Sequence, residues 1–185
     1  MSTTTQTTPR AGDGADAAER VRAYFGDHPN GMTMMAARKF ALPERDVVEA
    51  LVGTWPIVRL RDGAFRELVE ALPDLGTMRV FVRSRAAVIE SVGVFGGFSE
   101  MGPFFNVQTD TLDMHILHAE IASIYSVRKV GHDSDYATHS FQFYDKAGDA
   151  AFKAYLWEDF PAVPAGRVEQ FEDLTRRFAA DATGA

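Results

Sequence analysis

The spacing of the hydrophobic residues changes once along this chain, at the turn Pro73-Asp74-Leu75-Gly76. Before the turn, apolar residues such as Val21, Tyr24 and Phe25 recur at helical spacing, which is typical of amphipathic helices. After it they alternate with a period of two, as in Thr77 to Ser84, which is typical of strands. Helices first and strands second predict an α+β domain rather than a series of βαβ units.

The helical part, residues 17–72, is expected to form three short helices and a fourth over Gly63 to Leu72. Short turns between the later segments predict antiparallel neighbours. A final helix over Pro164 to Ala180 carries one apolar stripe and is expected to cover one face of the sheet. The fold class is therefore α+β, with short N-terminal helices, an antiparallel sheet of about six to seven strands and a C-terminal helix packed on it. The strand candidates are Thr77–Ser84, Ala87–Val94, Phe104–Thr109, Leu112–His118, Ala122–Val130, Tyr136–Tyr144 and Ala151–Trp157.

The length of 185 residues favours a single domain with one core. Residues 1–16, rich in Thr, Gly and Ala, have no apolar stretch that could serve as a secretory signal and are predicted to be a disordered tail. The domain is predicted over 17–182, with a helical part at 17–72 and the sheet and last helix at 77–182. The longest apolar segment, Ala86 to Phe98, is interrupted by Glu90 and by residues of Gly or Ser, so no membrane insertion is expected.

The charge and the cysteine content exclude several classes of site. The formal net charge is -7, and such a field repels a phosphate backbone, so nucleic acid is not an expected partner. There is no cysteine, which rules out disulfides, thiolate metal sites and a cysteine nucleophile. Histidines and carboxylates are therefore the protein metal ligands that remain.

One segment has the spacing of a helix-turn-helix, namely Met32 to Leu51 with a tight turn at Ala41-Leu42-Pro43. A helix that enters the major groove should be basic. The second helix, Pro43 to Val52, instead holds three acidic residues and one arginine. A transcription regulator is therefore the least favoured of the functions considered.

The chain has five histidines, and none has the His-Glu-x-x-His spacing of a zinc hydrolase. On a regular strand His115 and His118 point to opposite faces, so they are not expected to bind one ion together. His139 is expected to face the core and to be satisfied by a hydrogen bond. His28 and His132 lie in polar turns and are expected to be solvated.

The common enzyme signatures are missing: there is no nucleophile elbow, phosphate-binding loop or dinucleotide fingerprint. No residue is predicted to be catalytic. The segment Gly96 to Pro103 combines glycines with Phe98 and Met101, and two interpretations are open for it. It is either a wide hairpin turn or a lid over an apolar ligand.

Several motifs taken together resemble, in order and spacing, the ChuX/HutX family of haem-utilisation carriers. The resemblance covers roughly Gly31 to Phe178 and depends on the order of the motifs, since each is weak alone. The motifs are Phe104-Phe105-Asn106, Leu112-Asp113-Met114-His115-Ile116, Phe141-Gln142-Phe143-Tyr144-Asp145-Lys146-Ala147-Gly148 and Lys153-Ala154-Tyr155-Leu156, with Val48-Glu49-Ala50-Leu51 in the helical part.

The resemblance implies a cytoplasmic protein that binds haem, iron protoporphyrin IX, after import and hands it to a downstream haem-accepting protein. It implies a homodimer whose paired sheets resemble the two halves of the HemS/ChuS proteins. The family's haem histidine falls on His115, the expected axial ligand of the iron, which suits the chemistry of imidazole.

A second histidine of some relatives falls on Arg83. An arginine has no lone pair to offer iron, so Arg83 is expected to pair with a haem propionate instead. A carrier is favoured over a haem-degrading enzyme on the same scaffold, but the residues alone leave both open.

Overall fold

The computed structural model describes residues 11–130, 136–158 and 163–180. The predicted α+β fold is confirmed, with helices before the strands and one helix after them. The helices are α1 Ala11–Asp27, α2 Thr33–Phe40, α3 Glu44–Glu49, α4 Phe65–Ala71 and α5 Ala165–Phe178, and short 3-10 helices occupy Leu72–Leu75 and His118–Glu120. The strands are β1 Ile57–Arg59, β2 Thr77–Arg83, β3 Val88–Val94, β4 Phe98–Met101, β5 Phe104–Gln108, β6 Asp113–Leu117, β7 Ile121–Val130, β8 Ala137–Asp145 and β9 Ala150–Leu156.

The strands form two antiparallel sheets rather than one. The large sheet has six strands in the order β1-β7-β8-β9-β2-β3, and the small sheet has three in the order β4-β5-β6. All seven predicted strands are present, each within one residue of its expected ends. The two that the pattern missed are β1 and β4, which have three and four residues and are too short to show a period.

The segment Gly96 to Pro103 is a hairpin arm and not a free loop. Its central residues form β4, which pairs with β5 in the register Phe98 to Val107. Gly97 bends the chain into this hairpin with a φ of 66°, and a Cβ there would lie 1.8 Å from the carbonyl oxygen of Gln108. The backbone therefore requires glycine at this bend. The segment thus belongs to a hairpin, but as a paired strand and not as the wide turn expected.

The large sheet is covered on both faces, which divides the core in two. One face packs against α1, α2 and α3 through a cluster that includes Tyr125 and Tyr144. The other packs against α4, α5 and the small sheet through a larger cluster that includes Phe141 and Phe143. Alternate residues of β8 thus serve different cores, as the two-residue period of a strand requires. The predicted docking of the last helix is confirmed, since Phe171 lies in the second cluster.

The first helix begins earlier than expected. Residues 11–16 of the predicted tail belong to α1, while residues 1–10 lie outside the described residues. Alanine is a strong helix former, and Ala17, Val21 and Phe25 are buried at helical spacing, so the turn that precedes them continues the helix. Among the described helices none is long and apolar enough to cross a membrane.

Candidate functional site

The small sheet carries His115 on its outer face. Along β5 and β6 the side chains alternate, so that Phe105, Val107 and Ile116 are buried in the core while the residues between them point away from it. The register of the two strands places His115 directly opposite Asn106. This pairing depends on the alignment of two strands and brings a histidine and a carboxamide together on one surface.

The imidazole of His115 is held by a hydrogen bond to Asn106. Nδ1 lies 2.7 Å from Asn106 Oδ1, and because a carbonyl oxygen only accepts, Nδ1 carries the proton and donates it. Asn106 is only 4% exposed, and its Nδ2 donates to Ser99 Oγ at 3.1 Å. Ser99 in turn donates to Gln108 Oε1 at 3.1 Å. This chain of bonds orients the ring and leaves the lone pair of a neutral imidazole on Nε2.

The free nitrogen of His115 faces solvent beside a carboxylate. The side chain is 47% exposed, and Nε2 lies 3.6 Å from Asp113 Oδ1. That distance is too long for a good hydrogen bond, but an imidazolium would be attracted to the carboxylate. Nε2 is therefore available to a Lewis acid that approaches from outside the sheet.

Apolar side chains surround His115 on the same face. The Phe104 ring lies edge-on to the imidazole, with the ring centroids 6.2 Å apart. Met101 is 64% exposed and Leu117 is 45% exposed, and the pairing of the strands sets both in the row of Phe104. A histidine flanked by exposed apolar groups suits a flat, largely apolar ligand that also offers a metal.

His115 and His118 are not positioned to bind one ion together, as predicted. Strand β6 stays regular to Leu117, and His118 begins a 3-10 helix after it. The His118 ring stacks on Phe65 of α4, with centroids 6.0 Å apart. Within residues 11–130, 136–158 and 163–180 no three His, Asp or Glu side chains are grouped to hold a metal ion. A metal that arrives in a macrocycle needs only axial ligands from the protein.

Arg83, the second predicted site residue, is not brought to His115. Its Nη2 donates to Glu44 Oε2 of α3 at 2.7 Å, on the sheet face that the N-terminal helices cover. The small sheet that bears His115 packs on the opposite face. Within one protomer the large sheet therefore separates the two side chains.

Arg83 belongs instead to a buried network of charges. Glu44 is 4% exposed and also accepts hydrogen bonds from Lys153 Nζ and Thr33 Oγ1, each at 2.6 Å. Burial alone would raise the pKa of Glu44, but Lys153, Thr33 and Arg83 outweigh it and lower the pKa to about 2. The network joins α2 and α3 to strands β2 and β9.

His139 faces the core as expected, but the hydrogen bond predicted for it is not found among the described residues. The residue is 5% exposed, and within the described part of the chain neither ring nitrogen has a hydrogen-bond partner. The ring lies against Phe171 of α5, with centroids 5.4 Å apart. Burial, with a contribution from Arg128, lowers the pKa of His139.

The two other histidines lie away from this site. His28 is exposed, as predicted, and lies against the ring of Tyr24, with the centroids 4.6 Å apart. His132 lies outside the described residues.

Asn106, the hydrogen-bond partner of His115, is the residue of this candidate site that the sequence interpretation overlooks. It was noted only as part of a motif, although a buried amide inside the apolar run Phe104-Phe105-Asn106-Val107 signals a polar partner nearby. The identity of that partner depends on strand register, which the sequence does not show.

The model of one protein family, described as haem utilisation ChuX/HutX, matches residues 58–174, which is more than half of the chain. The match covers the small sheet and the large sheet together with most of α5. No functionally curated protein matches the sequence.

Solved structures share the fold. A protein of Agrobacterium tumefaciens is 22% identical, with a TM-score of 0.78 over 95% of this chain and 99% of the other. A structure of the haem-binding protein ChuX is 18% identical, with a TM-score of 0.75 over 85% of this chain and 97% of the other. ChuS of Escherichia coli O157:H7, described as a haem-degrading enzyme, is 22% identical, with a TM-score of 0.75 over 93% of this chain but only 49% of its own length.

Proposed function

Because this chain belongs to the ChuX/HutX family of haem-utilisation proteins, we propose that it binds haem reversibly, with His115 as the axial ligand of the iron. The observation that carries the proposal is the 2.7 Å hydrogen bond from His115 Nδ1 to the buried Asn106. Histidines that ligate metals characteristically donate their other N–H to such a group, which fixes the tautomer and the ring orientation.

The residues around His115 fit the chemistry of haem. When bound, haem supplies an iron with open axial positions and a wide apolar ring. His115 Nε2 offers a lone pair to the iron, and Phe104, Met101 and Leu117 offer apolar contacts to the ring.

We favour a carrier over an enzyme because the site is open. His115 lies on an exposed sheet surface, and its neighbours Met101 and Leu117 are half exposed, so ligand can leave without a conformational change. Haem that is held by one axial protein ligand is also released more readily than haem held by two. A cytoplasmic carrier that passes haem to an accepting protein is the role that follows from these features and from the family.

The second candidate function is haem degradation, and the fold shared with ChuS favours it. Haem can be degraded largely through the oxygen chemistry of its own iron, so the lack of a conspicuous acid and base near His115 does not decide the matter. The haem complex should therefore be incubated with a reductant and oxygen in the presence of catalase. A stable Soret band supports the carrier, and its loss with biliverdin-like products supports the enzyme.

We also propose that the protein is a homodimer and that β3 forms the contact. This strand ends the large sheet, so among the described strands none pairs with its outer side. Val88, Ile89, Val92 and Val94 are all exposed on it, with Ile89 70% exposed. Light scattering should report a dimer that Ile89→Lys converts to monomer, whereas Val130→Lys, at an exposed valine of β7, should leave it intact.

A propionate role for Arg83 requires that dimer, because within one protomer the large sheet separates Arg83 from His115. The prediction stands as a proposal that a second protomer supplies the arginine. Arg83→Gln should then weaken hemin binding in the dimer but not in the monomeric Ile89→Lys background. Equal effects in both backgrounds would remove Arg83 from the site.

The main proposal is tested by hemin titration followed at the Soret band. His115→Ala should bind more weakly and with a shifted spectrum, while His118→Ala and His28→Ala, at two exposed histidines elsewhere, should bind like the wild type. Added imidazole should restore the wild-type spectrum to His115→Gly, which a purely structural role would not predict. An unchanged spectrum in His115→Ala would contradict axial ligation.

The regulator hypothesis finds no support in the helices. Val47 and Val48 of α3 are buried against the large sheet, and the one arginine of the helix, Arg45, is paired with Asp46. Gel-shift assays with genomic fragments test it directly, and we expect no shift at physiological salt.

A further inference from the structure

The three strands of the small sheet align three polar side chains in one row. Their registers place Ser99 opposite Asn106 and Asn106 opposite His115. One end of the Asn106 amide, Nδ2, donates to Ser99 Oγ at 3.1 Å. The other end, Oδ1, lies 2.7 Å from His115 Nδ1. The carboxamide therefore lies between a hydroxyl and an imidazole and bonds to both.

An amide in this position has two possible orientations, and they require different tautomers of His115. With Oδ1 towards the imidazole, as in the structure, Nδ1 must donate. After a flip of the Asn106 amide, Nδ2 would face Nδ1, which could then only accept, and a neutral ring would carry its proton on Nε2. A protonated Nε2 has no lone pair for iron. The orientation of Asn106 thus determines whether His115 can act as an axial ligand.

The hydroxyl of Ser99 favours the observed orientation, because its proton is donated elsewhere. Ser99 Oγ donates to Gln108 Oε1 at 3.1 Å, so it is an acceptor towards Asn106 and requires Nδ2 there. Gln108 is directed in turn, since its Nε2 faces Asp113 Oδ1 at 3.5 Å and a carboxylate only accepts. A reversed chain of bonds would set the carbonyl oxygen of Gln108 against that carboxylate, which is repulsive.

Strand β4 brings this hydroxyl to the site and is itself held in place. The Gln108 N–H donates to the carbonyl of Gly97, just before the strand, at 3.2 Å. Within the strand, Glu100 pairs with Arg66 of α4. Ser99 lies between these two contacts and is exposed. Its replacement should therefore change the hydrogen bonds at Asn106 without a loss of core packing.

We propose that Ser99 is a positioning residue, which fixes the orientation of the Asn106 amide and thereby keeps the proton of His115 on Nδ1. It acts through Asn106 and needs no contact with haem. The effect on the tautomer is a property of the protein without ligand, whereas its role in haem binding rests on the function proposed above.

Two-dimensional ¹⁵N NMR of the imidazole rings, in the protein without haem, measures the tautomer of His115. Spectra are recorded well above a pH of about 6.5, the ordinary pKa of histidine, so that a protonated nitrogen and one with a lone pair give separate signals. Loss of signals in His115→Gln assigns them. Ser99→Ala should convert a large fraction of the molecules to the Nε2 tautomer, while Ser99→Thr, which keeps a hydroxyl, should retain the wild-type Nδ1 tautomer.

The variant Asn106→Asp separates this positioning role from a general structural effect. A carboxylate presents an acceptor to Nδ1 in either orientation. In an Asn106→Asp background, Ser99→Ala should therefore leave the tautomer unchanged. Ser126→Ala is the matched control, since it removes a strand hydroxyl that bonds to Thr175 of α5, and it should keep the wild-type tautomer. Melting curves show whether each variant is folded.

Hemin titration then connects the tautomer to haem binding. Ser99→Ala should weaken hemin binding by about two- to tenfold, the usual effect of losing one neutral hydrogen bond, and Ser99→Thr should not. The proposal is overturned if Ser99→Ala keeps the Nδ1 tautomer, or if it changes the tautomer equally in the Asn106→Asp background. A changed tautomer with unchanged hemin affinity would support the positioning role and would instead contradict ligation by His115.

Discussion

Removal of the charge of Glu44 should cost this protein a large part of its stability. The carboxylate accepts hydrogen bonds from Lys153, Thr33 and Arg83 in a site where it is 4% exposed. In Glu44→Gln the ammonium of Lys153 stays buried without its counter-ion. Breaking a buried pair in this way typically costs about 3 to 5 kcal/mol of unfolding free energy.

The pKa of Glu44 gives a second, independent value for this contribution to the unfolding free energy. It also gives the direction in which stability changes with pH. The folded-state value is about 2 against an ordinary 4.5, and at roughly 1.4 kcal/mol per unit this corresponds to about 3 kcal/mol. A carboxyl with a depressed pKa stabilises the fold fully above pH 4.5, and that contribution is lost as the pH falls from 4.5 towards 2. Glu44→Gln should lack this part of the acid sensitivity.

Urea unfolding at a series of pH values between 7 and 3 measures both effects. The control is Glu70→Gln, which breaks an exposed pair with Arg66 and should cost no more than about 0.5 kcal/mol. The double variant Glu44→Gln with Lys153→Met should recover much of the loss, because the unpaired ammonium is then gone. A loss below about 1 kcal/mol in Glu44→Gln, with the acid sensitivity of the wild type, would refute the reasoning.

Three further predictions concern the haem site and the core. Asn106→Leu removes the acceptor that orients His115, so hemin affinity should fall by about tenfold or more. A melting curve of the variant is the control for folding. Unchanged hemin affinity would contradict the orienting role of Asn106. Burial lowers the pKa of His139, so this histidine binds a proton less readily in the folded state than in the unfolded state. The unfolding free energy should therefore decrease as the pH falls below 6.5. His139→Phe should flatten that slope and the exposed-site variant His28→Phe should not; equal slopes would contradict the assignment. Phe143→Ala should lower the free energy of unfolding in urea by about 3 to 5 kcal/mol, because the ring is fully buried and stacks on Phe152 with the ring centroids 4.1 Å apart. A loss near 1 kcal/mol would show instead that the core collapses around the gap.

The sequence by itself determined the order of the elements and the ends of most of them. A strand of five or more residues shows its two-residue alternation and a helix its own period, so the seven longer strands and α5 could be predicted to within one or two residues. The short strands β1 and β4 could not, because three or four residues do not establish a period. The family motifs also placed His115 on a strand.

Only the tertiary structure decided which side chains meet. The sequence does not encode register directly, and a shift of one residue would turn His115 away from Asn106. Nor does it show how sheets stack, so it could not reveal that the large sheet separates Arg83 from His115, or that Arg83 shares Glu44 with Lys153.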